Sequence, residues 1–167
     1  ARDISIGATY FPPSNGSDSH METTKKLATW TESIIAKLPN RCVPILAGDM
    51  NAKVGIHKDE AGDARCSYFD GGAVGPYGQE DENFNGEALR RLMTNQKLIA
   101  VNTHFQECAG ASYYGVDGEG NQTCSRLDYQ IVPAAMLQKV KAVKLNEQAA
   151  RQLQVIPDAR FRDHIPL

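Results

Sequence analysis

Apolar positions alternate from Ile4 to Tyr10, and the run is cut by Pro12-Pro13, the pattern of a strand that ends where proline removes the backbone donor. A polar loop from Ser14 to Asp18 follows. Ser19-x-x-Glu22 has the capping-box pattern, and Leu27, Trp30, Thr31, Ile34, Ile35 and Leu38 then recur at helical spacing until Pro39-Asn40. This predicts a helix laying one stripe against a sheet. Val43 to Ala47 is apolar without alternation, as for a strand covered on both faces or central in a sandwich.

From Ala52 to Asn83 the chain is rich in Gly, Asp and polar residues with little periodicity, and it reads as a long surface loop without core residues. Asn85 is placed to cap a second helix whose buried stripe is Ala88, Leu89, Leu92 and Met93, followed by a short apolar strand from Leu98 to Val101. Tyr113-Tyr114, a turn from Gly115 to Gly120, and Thr123 to Val132 read as a hairpin closed by Pro133. Ala134 to Lys139 reads as a helical turn, Val140 to Leu145 as a strand, Glu147 to Gln154 as a loop or short helix, and Phe161 to Leu167 as a short apolar end. Helices and strands alternate with several short connections, which predicts a mixed α and β class with antiparallel hairpins.

Composition adds bounds. The 167 residues, 41% hydrophobic and 23% charged, have the make-up of one globular domain, residues 1–167. No apolar run approaches the roughly 18–20 residues that span a bilayer, so no membrane partner is expected. The widely spaced Cys42, Cys66, Cys108 and Cys124 lack zinc-type spacing and read as free thiols of an intracellular protein, nuclear or cytoplasmic. The net charge of -2 argues against bulk electrostatic retention on nucleic acid. Its distribution is uneven: seven acids lie between Lys58 and Glu82, whereas six bases lie between Lys139 and Asp163, an end that either faces a polyanion or is solvated surface. The chain opens inside a strand without a methionine, and the expectation is that it is part of a longer polypeptide.

Chemistry concentrates in separated segments. Pro44-Ile45-Leu46-Ala47-Gly48-Asp49-Met50-Asn51-Ala52 is an apolar strand that stops at glycine and presents an acid and an amide two residues apart. On a continued strand those side chains share a face. A carboxylate orients or deprotonates water and a neutral amide donates to a phosphoryl oxygen, although Gly-Asp-x-Asn is equally turn chemistry. In Ser125-Arg126-Leu127-Asp128-Tyr129-Gln130-Ile131-Val132, Asp128 lies among strand formers and needs a partner. Two are open: Arg126 on the same face, or a histidine whose tautomer the carboxylate would fix. Asp163-His164 near the end would, on an extended chain, point its two side chains to opposite sides.

Gly48-Asp49-Met50-Asn51-Ala52, then Ser125-Arg126-Leu127-Asp128-Tyr129, then Asp163-His164-Ile165-Pro166-Leu167, after a strand ending Tyr10-Phe11-Pro12-Pro13, resembles the endonuclease/exonuclease/phosphatase superfamily. Within it the chain looks most like endonuclease domains of non-LTR retrotransposons and their craniofacial-development-protein-like relatives. Val74-Gly75-Pro76-Tyr77-Gly78 through Asn83, Gly86 and Leu89 to Val101-Asn102-Thr103-His104-Phe105 looks like the same group's loop, helix and strand. The resemblance implies an α/β (α+β) four-layer sandwich of two packed mixed sheets flanked by helices, incomplete at its N-terminus. It also implies Mg²⁺-dependent phosphodiester hydrolysis (Mn²⁺ as the alternative ion), with nucleic acid, DNA first, as partner. Carried over, Asp49 activates water, Asn51 hydrogen-bonds the phosphate, Asp128 holds His164, His164 contacts the phosphate, Asp163 binds metal and Tyr10 offers a hydroxyl.

The chain also departs from that pattern. The group's first strand, helix and strand, with an Asn and a metal-binding Glu, are expected to fall before the point where this sequence starts, and Arg162 replaces the small residue usual before Asp-His. Gln130 replaces an apolar residue, and Tyr113 or Tyr114 lies where a tryptophan is often found. The alternatives are therefore a catalytically degenerate remnant of the fold acting as a binding module and, below it, a phosphatase of the same superfamily acting on lipid or inositol phosphates.

Overall fold

The computed structural model describes residues 2–58, 63–66, 72–153 and 163–167. Chain order is β1 (Asp3–Ala8), α1 (Asp18–Lys37), β2 (Cys42–Asp49), β3 (Gly55–Lys58), β4 (Ala64–Cys66), β5 (Glu80–Asp81), α2 (Phe84–Asn95) and β6 (Leu98–Ala100). Then come β7 (Tyr113–Val116), β8 (Gln122–Ser125), β9 (Asp128–Pro133), a 3₁₀ helix (Ala134–Lys139), α3 (Glu147–Leu153) and β10 (Asp163–His164). The class is mixed α and β, as the alternation of elements predicts.

The central sheet runs β1-β2-β9-β6, with β1 parallel to β2 and both other pairs antiparallel. Both faces are covered over β2, β9 and β6, whereas Ile4 and Ile6 of the edge strand β1 are 64% and 76% exposed. Leu46, Leu98, Ala100, Tyr129 and Ile131 pack on one side with Ala28 of α1 and Leu89, Leu92 and Met93 of α2. Each such fully buried large apolar side chain contributes about 1.5–3 kcal/mol. On the other side Ile99 and Val132 meet Val143, with Ile45, Met136, Val140 and Leu167 packed around them. Two-sided cover explains why β2 shows no alternation. A second, antiparallel sheet has the order β10-β7-β8, and a third has the order β4-β3-β5. No helix among the described residues is long and apolar enough to cross a membrane.

Several expectations change. The α1 N-cap is Ser17, whose hydroxyl accepts the His20 N–H at 3.2 Å, because Ser17 has extended backbone while Ser19 is already helical. Of the expected α1 stripe Thr31 is buried and Leu27 and Ile35 pack against the core, joined by His20, Thr24 and Ala28, whereas Trp30 and Ile34 are 62% and 41% exposed. With about 3.6 residues per turn, Trp30 points away from Ala28. Asn83, not Asn85, caps α2, accepting the Gly86 N–H at 2.8 Å.

The stretch read as coreless buries Ala52, Val54, Ala73 and Val74, which polar neighbours isolate from any periodic pattern. Thr123 to Val132 is two strands in two sheets, broken at Arg126-Leu127. At the break Arg126, 3% exposed, donates from its guanidinium to the carbonyls of Tyr77, Gly78 and Cys108. Residues 140–146 form no strand, and Val140 and Val143 pack under the central sheet. Arg162, Phe161 and part of the acidic stretch (Asp59, Glu60, Asp70) lie outside the described residues.

Candidate functional site

The site begins where β1 and β2 part. Gly48 has φ +151, and a Cβ there would run into the Thr9 carbonyl, so only glycine admits this close approach. Past it, Asp49 ends β2 and Asn51 adopts a left-handed φ of +43. The two side chains do meet, through a tight turn and not along a strand. Asp49 Oδ1 accepts the Asn51 main-chain N–H at 2.8 Å, and Oδ2 accepts from Asn51 Nδ2 at 3.0 Å. The second amide proton of Asn51 serves the Phe11 carbonyl at 2.9 Å. Asn51 therefore orients Asp49, and a phosphate oxygen reaching this amide must displace one of those bonds.

Behind the turn lies a buried amide scaffold. Asn85, 0% exposed, donates to the carbonyls of Pro12 and Asn51 at 3.0 and 3.1 Å and accepts from the Thr24 hydroxyl at 3.0 Å. Asn83 donates to the same Asn51 carbonyl at 3.1 Å. These residues join the Tyr10-Phe11-Pro12 segment to the Asp49 turn, a role no sequence signal marks. Tyr10 itself is 59% exposed, one residue from Phe11, whose N–H donates to the Asp49 carbonyl at 3.1 Å.

Asp128 is the first residue of β9 and pairs in register with Asp49. His164 lies in the other sheet, on β10, yet its Nδ1 is 2.7 Å from Asp128 Oδ2. Its Nε2 faces Asp49 Oδ2 at 3.8 Å and Asp163 Oδ1 at 3.9 Å, gaps wider than a hydrogen bond. The Tyr113 ring packs 4.9 Å from the imidazole. Of the two candidate partners for Asp128, the histidine makes the contact and Arg126 does not. The hydrogen bond to Asp128 raises the His164 pKa above its ordinary value, more than burial lowers it, with the charges of Asp128, Asp49 and Asp163 adding to the rise. Burial raises the Asp49 pKa, opposed by the Asn51 hydrogen bonds and the His164 charge.

Asp163 differs from its extended-chain expectation. Its φ of +92 is strained for a residue with a side chain, and Oδ1 folds back to accept the His164 N–H at 3.0 Å. Its carboxylate therefore lies beside the imidazole, not across the chain from it. Among the described residues no group of three or more His, Cys, Asp or Glu side chains forms a metal cluster. The 72% exposed Asp163 carboxylate fits a hard cation only in the open manner of Mg²⁺, which keeps waters and takes one or two carboxylates plus a substrate phosphate. A depression of about 200 Å³ lies against His164, with Gly48, Asp128, Gln130 and Pro166 in its walls. Supporting roles that the sequence reading missed belong to Asn85, read there only as a helix cap, and to Asn102 and Ser112; all three bond main-chain groups, and Asn85 the Thr24 hydroxyl as well, which leaves no motif.

No family model matches the chain, and no curated protein matches it. Among solved structures it is similar to the endonuclease domain of TRAS1, a telomere-specific non-LTR retrotransposon, at 18% identity and a TM-score of 0.47. The alignment covers 93% of this chain and 52% of that one, so the chain spans about half the length of that structure.

Proposed function

We propose that this domain hydrolyses phosphodiesters, nicking DNA in an Mg²⁺-dependent reaction. The observation that carries the reading is the placement of His164 Nε2 opposite Asp49 while Nδ1 is held by Asp128 at 2.7 Å. Asp49, its pKa raised, takes a proton from water as the water oxygen attacks phosphorus. His164 in its protonated form stabilises the charge building on the phosphoryl oxygens and gives the Nε2 proton to the leaving oxygen as the P–O bond breaks. Asp128 accepts the hydrogen bond from Nδ1 and so keeps the imidazole in one orientation. The Tyr10 hydroxyl is free to contact the phosphate. A Mg²⁺ or Mn²⁺ ion held by Asp163 would supply neutralisation of phosphate charge.

The test is nicking of supercoiled plasmid. Wild type should nick with Mg²⁺, and Asp49→Ala or His164→Ala should each lose on the order of 10²–10⁴ in rate while keeping the native circular dichroism spectrum. Nicking that persists in both variants overturns the reading.

A binding module derived from the same fold is the second reading, favoured by the full use of both Asn51 amide protons inside the protein. It predicts retention of a DNA duplex without cleavage at any Mg²⁺ concentration.

A further inference from the structure

We propose that Ser112 is a positioning residue that holds the Asp128–His164 pair together. The inference rests on the hydrolytic reading above for its consequence, though not for its geometry. The pair bridges two sheets, because β9 carries Asp128 in the central sheet and β10 carries His164 in the sheet ordered β10-β7-β8. No ladder hydrogen bond runs directly between β9 and β10, so something else must set the distance between carboxylate and imidazole.

Ser112 lies one residue before β7 and is 1% exposed. Its hydroxyl oxygen accepts the N–H groups of Leu127 and Asp128, each at 3.0 Å, using both lone pairs. Its carbonyl accepts the Ile165 N–H at 2.6 Å, and its own N–H donates to the Ser125 carbonyl at 3.1 Å. One residue thus fastens the main chain at Asp128 and the main chain next to His164. The side chain does what the ladder cannot: it reaches from the second sheet to the first residue of β9. Loss of the hydroxyl leaves two half-buried N–H groups without that acceptor at the point where the Asp128 carboxylate is aimed.

The step that depends on this register is the orientation of His164. A shift of about 1 Å in a catalytic group costs on the order of 10²-fold in rate. Ser112 touches neither substrate nor the reacting atoms, so its removal should reduce kcat and leave KM in place.

The experiment is Ser112→Ala in the full chain, read by plasmid nicking and by the downfield proton resonance of His164 Nδ1–H, which reports the bond to Asp128 without any substrate. The expected result is a fall in kcat on the order of 10- to 100-fold at unchanged KM, with loss or upfield movement of the resonance. Ser112→Cys keeps the size while accepting hydrogen bonds weakly, and carries the same test if the alanine variant does not fold. In wild type the Leu127 and Asp128 amides should be slow to exchange with deuterium. Fast exchange of both, or a folded variant with the wild-type resonance, overturns the proposal. If wild type does not nick at all, the hydrolytic reading fails while the resonance and exchange data still decide the role of Ser112.

Discussion

Asn51 is bonded twice to Asp49, through its main-chain N–H at 2.8 Å and through its side-chain amide at 3.0 Å. The side-chain bond favours the ionised carboxylate and so opposes the burial that raises the Asp49 pKa. Asn51→Gly is the informative variant, since the φ of +43 suits glycine, whereas alanine would add roughly 1 kcal/mol of backbone strain. Expected are a rate loss on the order of 10²–10³ and an acidic limb of the pH–rate profile displaced to higher pH. An unmoved acidic limb would show that the amide does not tune Asp49.

His164 supplies a pH signature. Its folded pKa lies above the ordinary value of 6.5, so the stability it contributes is fully present below that value and is lost as pH rises through the raised one. His104 acts in the opposite sense. Burial lowers its pKa, so its contribution is present above the ordinary value and lost as pH falls below it. Comparing wild type with Asp128→Asn cancels the His104 part. Urea unfolding at pH about 5.5 and about 8.5 should show the variant losing more stability at the lower pH. Equal losses at both values would remove the Asp128 hydrogen bond as the cause.

Asn83 caps α2 and shares the Asn51 carbonyl with Asn85, whereas Asn85 is the fully buried member of the pair. Asn83→Ala should cost about 1 kcal/mol, the usual value of a helix N-cap. Asn85→Ala removes one donor each from the carbonyls of Pro12 and Asn51, takes the acceptor from the buried Thr24 hydroxyl, and leaves a gap at a fully buried position, so it should cost more, about 2–3 kcal/mol, while also slowing nicking. Chemical denaturation of both variants measures the order, and a larger loss at Asn83 would reverse the assignment.

That pair also shows where the sequence stops being legible. The helix around Leu89, Leu92 and Met93 announces itself by periodicity, and β2 by its unbroken apolar run. The cap does not, because Asn83 and Asn85 carry the same side chain two residues apart, and the contacts that draw Asn85 into the interior lie 34 and 73 positions away. In the site, Asp49, Asn51, Asp128, Asp163 and His164 stand in recognisable strings. Their support is silent: Ser112 and Asn102 bind main-chain N–H and C=O groups near Asp128, contacts that put no demand on neighbouring residue types. The break at Arg126 was hidden for a related reason. Strand-forming residues flank it on both sides, and the buried guanidinium there finds its acceptors at Tyr77, Gly78 and Cys108.

Gly48 tests whether the approach of β1 to β2 fixes the position of Asp49. A methyl group there meets the Thr9 carbonyl, whose own N–H is committed to Ala47 at 2.9 Å, so the main chain has little freedom to retreat. The φ of +151 adds strain for any L side chain. Gly48→Ala should therefore destabilise by about 2–3 kcal/mol, a fall in Tm of roughly 5–10 °C. Gly118, in the β7–β8 turn with open space around its Cβ position, is the control, and Gly118→Ala should change stability by less than about 0.5 kcal/mol. Because the Thr9 contact lies next to Asp49, the fraction of Gly48→Ala that remains folded at low temperature should nick more slowly than wild type. Full activity per folded molecule would mean that the Asn51 bonds alone hold the carboxylate and that the strand contact serves only stability.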